Sequence, residues 1–240
     1  MGAAVRAFKE LLTKPNIILL SIPVLVFLYI RFGMAPNFDY YFGSLLSDPA
    51  AESIVRVFYQ NIFIFVLLGL LPILIIRKGF REPLSSYGLK TGDHKFGFTV
   101  VFIALIVVSI GIILAVAVPD PKPPLFKDLY PAIPAVSGNA GLFLLNIVFL
   151  VFFYAAFEFF YRGYVLFGLK DAFGPVAAVL IQAIPSVLVH FDRPNGEFFI
   201  SIPAEIFFGW LALRTGSIWY GFYIHLFVGI GIELACIAIR

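Results

Sequence analysis

Residues 153–169, with the sequence FYAAFEFFYRGYVLFGL, place two charged side chains inside a long apolar run. Glu158 and Arg162 are four positions apart, so on a helix they lie one turn apart on the same face. A charged group at the depth of a bilayer is costly unless it is paired or faces a wet cavity, and such groups are candidates for function. The two residues are therefore either an ion pair that fastens one helix or part of a site.

The composition around this stretch predicts an all-α membrane protein. Hydrophobic residues make up 61% of the 240 residues and charged residues only 13%, and the mean hydropathy is +1.00. A soluble domain has about 45–50% apolar residues. The apolar runs are mostly about 15 to 23 residues long, which favours membrane helices over the short alternating strands of a barrel. We expect residues 1–240 to form one integral membrane domain, a polytopic transmembrane helical bundle.

The hydropathy pattern predicts seven membrane segments. They cover approximately residues 17–30, 54–76, 96–118, 141–162 and beyond, 174–190, 197–213 and 218–239. An eighth segment arises if residues 141–172 contribute two passes or a re-entrant hairpin. Because Gly163 directly follows Arg162 in a run too long for one span, we expect a kink or break there.

Two flanking regions predict how the chain sits in the membrane. Residues 3–13 have the pattern of an amphipathic helix lying at the interface. The most basic loop of the chain is predicted to be cytoplasmic by the positive-inside rule. Its basic residues are Arg77, Lys78, Arg81, Lys90 and Lys95. The net charge of +3 is modest and indicates no nucleic-acid partner.

Two later segments each contain an isolated histidine, His190 and His225. Together with Glu158 they could hydrolyse an amide. A glutamate in a low-dielectric pocket can deprotonate water while one histidine orients that water, and a second histidine can donate a hydrogen bond to the developing oxyanion. The alternative for each histidine is a satisfied core residue. His94 lies in the basic loop, where we expect it to be solvated.

Three further carboxylates lie in or beside the later segments. Glu197 follows the turn after His190 and could meet it as a base, or it could be an ordinary acidic residue at a helix N-terminus. Glu233 shares a helix face with His225, so the two could be in contact. For Glu205 we expect a hydrogen-bonded structural carboxyl.

A metal is the competing chemistry. Zinc could be held by Glu158, His190 and His225, which is the ligand count of a catalytic site. No His-Glu-x-x-His pair is present, however, and the three ligands come from separate segments. The single cysteine excludes a site with several cysteine ligands. We therefore expect no cofactor, with zinc as the alternative.

Three stretches resemble the CPBP family, the CAAX proteases and bacteriocin-processing proteins. They are FEFFYRG at 157–163, His190 with the charged turn that follows it, and GSIWYGFYIH at 216–225. The similarity covers roughly residues 139–239. The family motifs are Glu-Glu-x-x-x-Arg, Phe-x-x-x-His and His-x-x-x-Asn or Asp. The resemblance implies a helical intramembrane protease that uses a glutamate-activated water.

The family motifs fall on this chain with three departures. The second Glu and the Arg correspond to Glu158 and Arg162, and the two His correspond to His190 and His225. The remaining motif positions carry Phe157 for the first Glu, Ser186 for Phe, and Gly229 for Asn. The first departure removes the base that the family is thought to use, and the third removes one donor to the oxyanion.

The resemblance implies an intramembrane endopeptidase that acts on a membrane-tethered or lipid-modified polypeptide. Glu158 would be its essential carboxylate, with Arg162 fixing its ionisation, His190 positioning water and His225 polarising the carbonyl. Glu197 would be the candidate for a relocated base. The alternatives are a catalytically silent relative that binds a membrane partner, as an immunity or scaffold protein, and a small proton-coupled transporter. The small size and short loops suggest a prokaryotic plasma membrane.

Overall fold

Long apolar helices account for most of the computed structural model, which describes residues 12–43, 46–117 and 125–239. Within these ranges the regular structure is entirely helical, which confirms the all-α prediction. We label the main helices α1 to α8. They are α1 Lys14–Gly33, α2 Ala35–Phe42, α3 Pro49–Phe80, α4 His94–Ala117, α5 Ala140–Phe173, α6 Pro175–Leu188, α7 Asn195–Thr215 and α8 Trp219–Ala238.

Six helices in the described part of the chain are long and apolar enough to cross a membrane: α1, α3, α4, α5, α7 and α8. The predicted count of seven to eight was too high. The difference is α6, which has 14 residues. At about 1.5 Å per residue it is about 21 Å long, shorter than a hydrocarbon core of about 30 Å. Apolar composition alone did not reveal that this segment ends early.

Helix α5 carries the charged pair and runs without a break over 34 residues. Between Phe159 and Phe167 it is π-helical, and it returns to α-helix from Gly168. Of the predicted kink or break after Arg162, the break and the second pass that it would have allowed are therefore wrong, while a π-helical segment is a usual cause of a kink. A wider π turn accommodates Gly163 within the helix, and such turns are frequent at functional sites.

The ends of α5 are defined by local chemistry. Asn139 caps the first turn, where its side-chain oxygen accepts a hydrogen bond from the backbone N–H of Leu142 at 3.1 Å. At the other end Gly174 has φ of 80°. This left-handed conformation suits glycine and reverses the chain, so that α6 begins at once with Pro175. The tight reversal packs α6 against the π-helical part of α5.

Two ion pairs place four helix ends on one face of the bundle. Lys14, at the start of α1, contacts Glu82 after α3 at 2.7 Å, and Asp93, before α4, contacts Arg214 at the end of α7 at 3.0 Å. Burial raises the pKa of Glu82, but hydrogen bonds from Lys14 and Tyr87 outweigh it, so the pKa lies below its usual value. The basic loop lies at this face, which the positive-inside rule predicts to be cytoplasmic.

Two predicted features near the chain's loops lie partly beyond the described ranges. Of the predicted interfacial helix at 3–13, residues 3–11 are outside them, and residues 12 and 13 form a turn and a bend. The repeated prolines after residue 118 predict that the helix ends there and an extended linker follows, and residues 118–124 of this proline-rich loop are also outside the described ranges. The rest of that loop contains a short helix, Phe126–Leu129, and a 3₁₀ turn, Pro134–Gly138, before α5 begins.

The centre of α5 lies in the middle of the bundle. It packs against α1, α3, α6, α7 and α8, and every residue from 156 to 169 is buried. Glu158 and Arg162 are both fully inaccessible. Charged groups at such a position need partners inside the protein, and those partners define the site.

Candidate active site

Glu158 and Arg162 face each other along α5. The Arg162 Nε lies 3.4 Å from the Glu158 Oε2, and neither side chain is exposed. These two atoms make no hydrogen bond within the described part of the chain, so their contact is an ion pair without hydrogen-bond geometry. The structure thus contains the predicted i,i+4 pair, but the pair alone does not satisfy either group.

His225 of α8 completes the coordination of Glu158. Its Nδ1 lies 2.8 Å from the Glu158 Oε1. A carboxylate can only accept, so Nδ1–H is the donor and Nε2 is left as the second nitrogen of the ring. Three aromatic rings surround the imidazole, with centroid distances of 4.3 Å to Tyr154, 5.2 Å to Phe157 and 5.5 Å to Phe208. The sequence-predicted Glu158 and His225 therefore meet directly.

His190 lies just beyond the end of α6. Its Nδ1 is 2.9 Å from the backbone carbonyl oxygen of Ser186. Since a carbonyl oxygen only accepts, Nδ1 carries the proton and the Nε2 of the neutral ring is an acceptor. The imidazole contacts the Phe157 ring, with a centroid distance of 6.4 Å. His190 follows α6 directly, and α6 packs against the π-helical part of α5, which brings His190 close to Phe157.

Phe157 links the two histidines. Its ring stands edge-on to both imidazoles, at interplanar angles of 83° to His190 and 89° to His225. Position 157 is where the resemblance to the family predicts the glutamate base. An aromatic ring without any titratable group therefore occupies the place between the two histidines where a carboxylate was expected.

A second carboxylate contacts Arg162 from α7. Glu205 is 2% exposed, forms an ion pair with Arg162 and accepts a hydrogen bond from the Ser186 hydroxyl. Its backbone carbonyl accepts from the Gln182 side chain at 2.9 Å. Glu205 is a paired structural carboxyl, as expected. Its partner was not foreseen, although a buried glutamate in an apolar helix requires a cation nearby.

Glu197 lies at the start of α7 beside a tyrosine and an arginine. It accepts a hydrogen bond from the Tyr130 hydroxyl at 3.0 Å, and Arg193 approaches to 3.9 Å. Burial raises the pKa of Tyr130 well above its usual value, so the hydroxyl remains a donor. Within the described residues no hydrogen bond joins Glu197 to His190. Of the two alternatives for Glu197, the hydrogen bond with His190 is therefore not formed, and Glu197 is an acidic residue in the first turn of α7.

The sequence allowed a contact between Glu233 and His225, but among the described residues these two side chains form no hydrogen bond with each other. It accepts hydrogen bonds from the Asn146 side chain and from the backbone N–H of Ala132, the latter at 3.2 Å. It therefore ties the loop before α5 to both α5 and α8. Glu233 and His225 do lie on the same face of α8, two helical turns apart with Gly229 between them. The Glu233 carboxylate accepts its hydrogen bond from Asn146 instead.

The described residues contain no group of three or more His, Cys, Asp or Glu side chains placed to hold one metal ion. Glu158 and His225 are in contact, while His190 approaches them through the Phe157 ring. The three ligands considered for zinc thus do not converge in this arrangement.

Residues 139–230 match the family described as type II CAAX prenyl endopeptidase Rce1-like. The matched range starts at the cap of α5 and contains Glu158, Arg162, His190 and His225. No curated protein and no solved structure matches the chain.

Proposed function

Because residues 139–230 belong to the CPBP family of CAAX-type intramembrane proteases, we propose that this integral membrane protein is an intramembrane endopeptidase. It hydrolyses a peptide bond of a membrane-tethered or lipid-modified polypeptide. The observation that carries the proposal is the hydrogen bond of 2.8 Å between Glu158 and His225, beside a second histidine, His190. The small chain with short loops fits a prokaryotic plasma membrane.

His225 is the general base for the attacking water. A buried carboxylate bonded to Nδ1–H fixes the tautomer of an imidazole and stabilises the imidazolium that forms when Nε2 takes a proton. As water adds to the scissile carbonyl carbon, one water proton passes to His225 Nε2 and the carbonyl oxygen becomes an oxyanion. When the tetrahedral intermediate collapses, the C–N bond breaks and the same proton passes to the leaving amine.

Glu158 acts through His225. Its Oε1 is taken by the imidazole, and its Oε2 faces Arg162. Glu158 is fully inaccessible and its Oε2 is buried, so neither oxygen is exposed to a water. Glu158 is therefore the essential carboxylate of the reaction as a positioning residue. It does not touch the water, and it acts on water activation through its hydrogen bond to His225.

His190 positions the water. In its neutral form the Nε2 accepts a hydrogen bond, because Nδ1–H is already donated to the Ser186 carbonyl. Acceptance of one water hydrogen by His190 directs the other toward His225. The proposed reaction needs neither a metal nor a cofactor, and a chelator is expected to leave it unchanged.

A second candidate function is supported by Phe157. If His225 is not basic enough without the family's first glutamate, the protein is a catalytically silent relative that binds a membrane polypeptide. In that case the ring of Phe157 fills the reaction site between the histidines. The two candidates differ in one measurable property, which is turnover by the wild-type protein.

The test is cleavage of membrane-tethered peptides, with and without a prenyl group, by purified protein in liposomes. Wild type is compared with Glu158→Gln, His190→Ala and His225→Ala, each with and without a chelator. Glu197→Gln is the matched carboxylate control, because Glu197 forms no hydrogen bond with either histidine among the described residues. Turnover that is lost in the first three variants and kept in the control, without a chelator effect, supports the protease.

Other outcomes separate the alternatives. Loss of turnover in Glu197→Gln alone would move the base to that residue. Inhibition by the chelator, reversed by zinc, would replace the metal-free mechanism with a metal-dependent one. If wild type binds the peptides without cleaving any of them, the silent relative is the correct reading.

A further inference from the structure

Tyr154 occupies the space beside Gly229. A Cβ atom added to Gly229 would lie 2.5 Å from both the hydroxyl oxygen and Cε2 of Tyr154. Real Cβ atoms do not approach other atoms so closely, so any side chain at 229 would displace the tyrosine ring. Gly229 lies one turn after His225 on α8. The tyrosine thus fills a space that a side chain at 229 would otherwise occupy, next to the proposed base.

Tyr154 also lies directly against His225. The two ring centroids are 4.3 Å apart, and the planes are tilted by 38°. On α5 Tyr154 is one turn before Glu158, so both side chains reach His225 from the same helix face. The carboxylate holds one edge of the imidazole while the phenol covers it.

Among the described residues the Tyr154 side chain makes ring contacts and its hydroxyl forms no hydrogen bond, and the side chain is only partly buried. Tyrosine hydroxyls at such sites usually find a partner. A phenol O–H held beside a catalytic base, and not engaged within the protein, is available to a bound substrate.

The site requires such a donor. His225 donates its Nδ1–H to Glu158, and in the proposed reaction its Nε2 accepts the water proton, so the neutral ring has no hydrogen left for the carbonyl oxygen. His190 likewise uses its Nδ1–H on the Ser186 carbonyl. Gly229 has no side chain to supply a donor.

We propose that the Tyr154 hydroxyl donates a hydrogen bond to the oxyanion that forms when water adds to the scissile carbonyl. The inference rests on the proposed protease function and names a further catalytic residue for it. The phenol proton is shared with the oxyanion and not transferred, and the interaction ends when the carbonyl re-forms as the C–N bond breaks. The absent side chain at 229 makes the necessary room.

The first test is Tyr154→Phe, measured on a peptide that wild type cleaves. Removing one donor to an oxyanion lowers kcat by about 10²- to 10³-fold, and we expect KM to stay nearly constant. The matched control is Tyr164→Phe on the same helix. The Tyr164 hydroxyl forms a hydrogen bond of 2.9 Å with the Ser21 hydroxyl and not with His225. We expect that control to keep the wild-type kcat.

The second test restores a donor from the other helix. Tyr154→Ala removes the ring that excludes a side chain at 229. In that background we expect Gly229→Asn to raise kcat at least tenfold above that of Tyr154→Ala alone. In the presence of Tyr154, Gly229→Asn alone is expected to inactivate the protein. A double variant no better than Tyr154→Ala would count against a shared role for the two positions.

The third test does not depend on turnover. A peptidyl phosphinate mimics the tetrahedral intermediate and should lose affinity by a similar factor in Tyr154→Phe, while the product peptide should bind unchanged. If wild type cleaves its peptide and Tyr154→Phe matches it in kcat and phosphinate affinity, Tyr154 is not the donor and the protease proposal stands. If wild type neither cleaves peptides nor binds the phosphinate more tightly than the product, both proposals fall together.

Discussion

Removal of the Glu205 carboxylate should destabilise the protein more than most single substitutions. Arg162 is fully buried and has two carboxylate neighbours, Glu158 and Glu205. The closer of these is Glu205, which also accepts from the Ser186 hydroxyl. Breaking a buried pair by removing one partner costs about 3–5 kcal/mol, because the other charge remains buried. An orphaned buried hydroxyl adds about 1–3 kcal/mol.

We therefore expect Glu205→Leu to lower the free energy of unfolding by at least about 3 kcal/mol, the lower bound for a broken buried pair. Glu205→Gln should cost less, because the amide oxygen still accepts from Ser186 and Glu158 remains close to the guanidinium. The difference between Leu and Gln measures the hydrogen bonds, and the difference between Gln and wild type measures the charge.

The assay uses the one cysteine of the chain. Cys236 is fully buried, so a thiol-reactive dye should label it only when the protein unfolds in detergent. Asp93→Asn is the control, because it removes an ion pair to Arg214 whose two side chains are each between two fifths and one half exposed. We expect little change in that variant. If Glu205→Leu melts within experimental error of the control, the argument that Glu205 neutralises Arg162 is wrong.

Three further predictions concern the remaining contacts. Phe157→Glu should place a carboxylate beside both histidines and raise the cleavage rate of the same peptides, and an unchanged rate would show that the site does not need this group. Gly221→Ala should push against Glu158 Oε2, at 2.9 Å from the new Cβ, and lower kcat without weakening peptide binding; equal kcat would refute that crowding. The lowered pKa of Glu82 means that its pair with Lys14 stabilises the fold above the unfolded pKa and loses this effect as the pH falls through the folded value. Melting of Glu82→Gln should therefore change less than that of wild type on acidification, and parallel curves would contradict this.

The sequence was sufficient to single out Glu158, Arg162 and His225, three polar residues that the structure brings into contact inside the bundle. Glu158 and Arg162 were evident because a helix places them one turn apart, and His225 was evident because a polar group in an apolar helix needs a partner. The hydropathy pattern also located the helices that carry them. These inferences use only local periodicity and the cost of burying polar groups, both of which are properties of the sequence.

What the sequence could not give is the choice among partners. Arg162 was paired in advance with Glu158, but the structure gives its closest contact to Glu205, 43 positions away. Glu233 was placed on the correct face, yet Asn146 takes its carboxylate. Glu197 accepts a hydrogen bond from Tyr130 and, among the described residues, forms none with His190. Each of these contacts depends on how separate helices pack. The hydrophobic pattern does not fix the rotation of a helix about its own axis or its depth in the membrane.

Helix continuity also depended on more than the sequence pattern. Gly163 after the charged pair indicated a break, because glycine weakens an isolated helix. In the structure the residues from 156 to 169 are all buried, and neighbouring helices hold the segment in a π-helical form. Tertiary packing therefore outweighed the local preference of Gly163.

The buried charges around Arg162 restrict which substitutions a relative can carry at these positions. One guanidinium, from Arg162, lies between two carboxylates and next to one hydroxyl, and these groups come from α5, α6 and α7. No member can change alone without leaving a buried charge or donor unsatisfied. In an alignment of close relatives, positions 162, 186 and 205 should therefore covary, and a relative with an apolar residue at 205 should also have replaced Ser186.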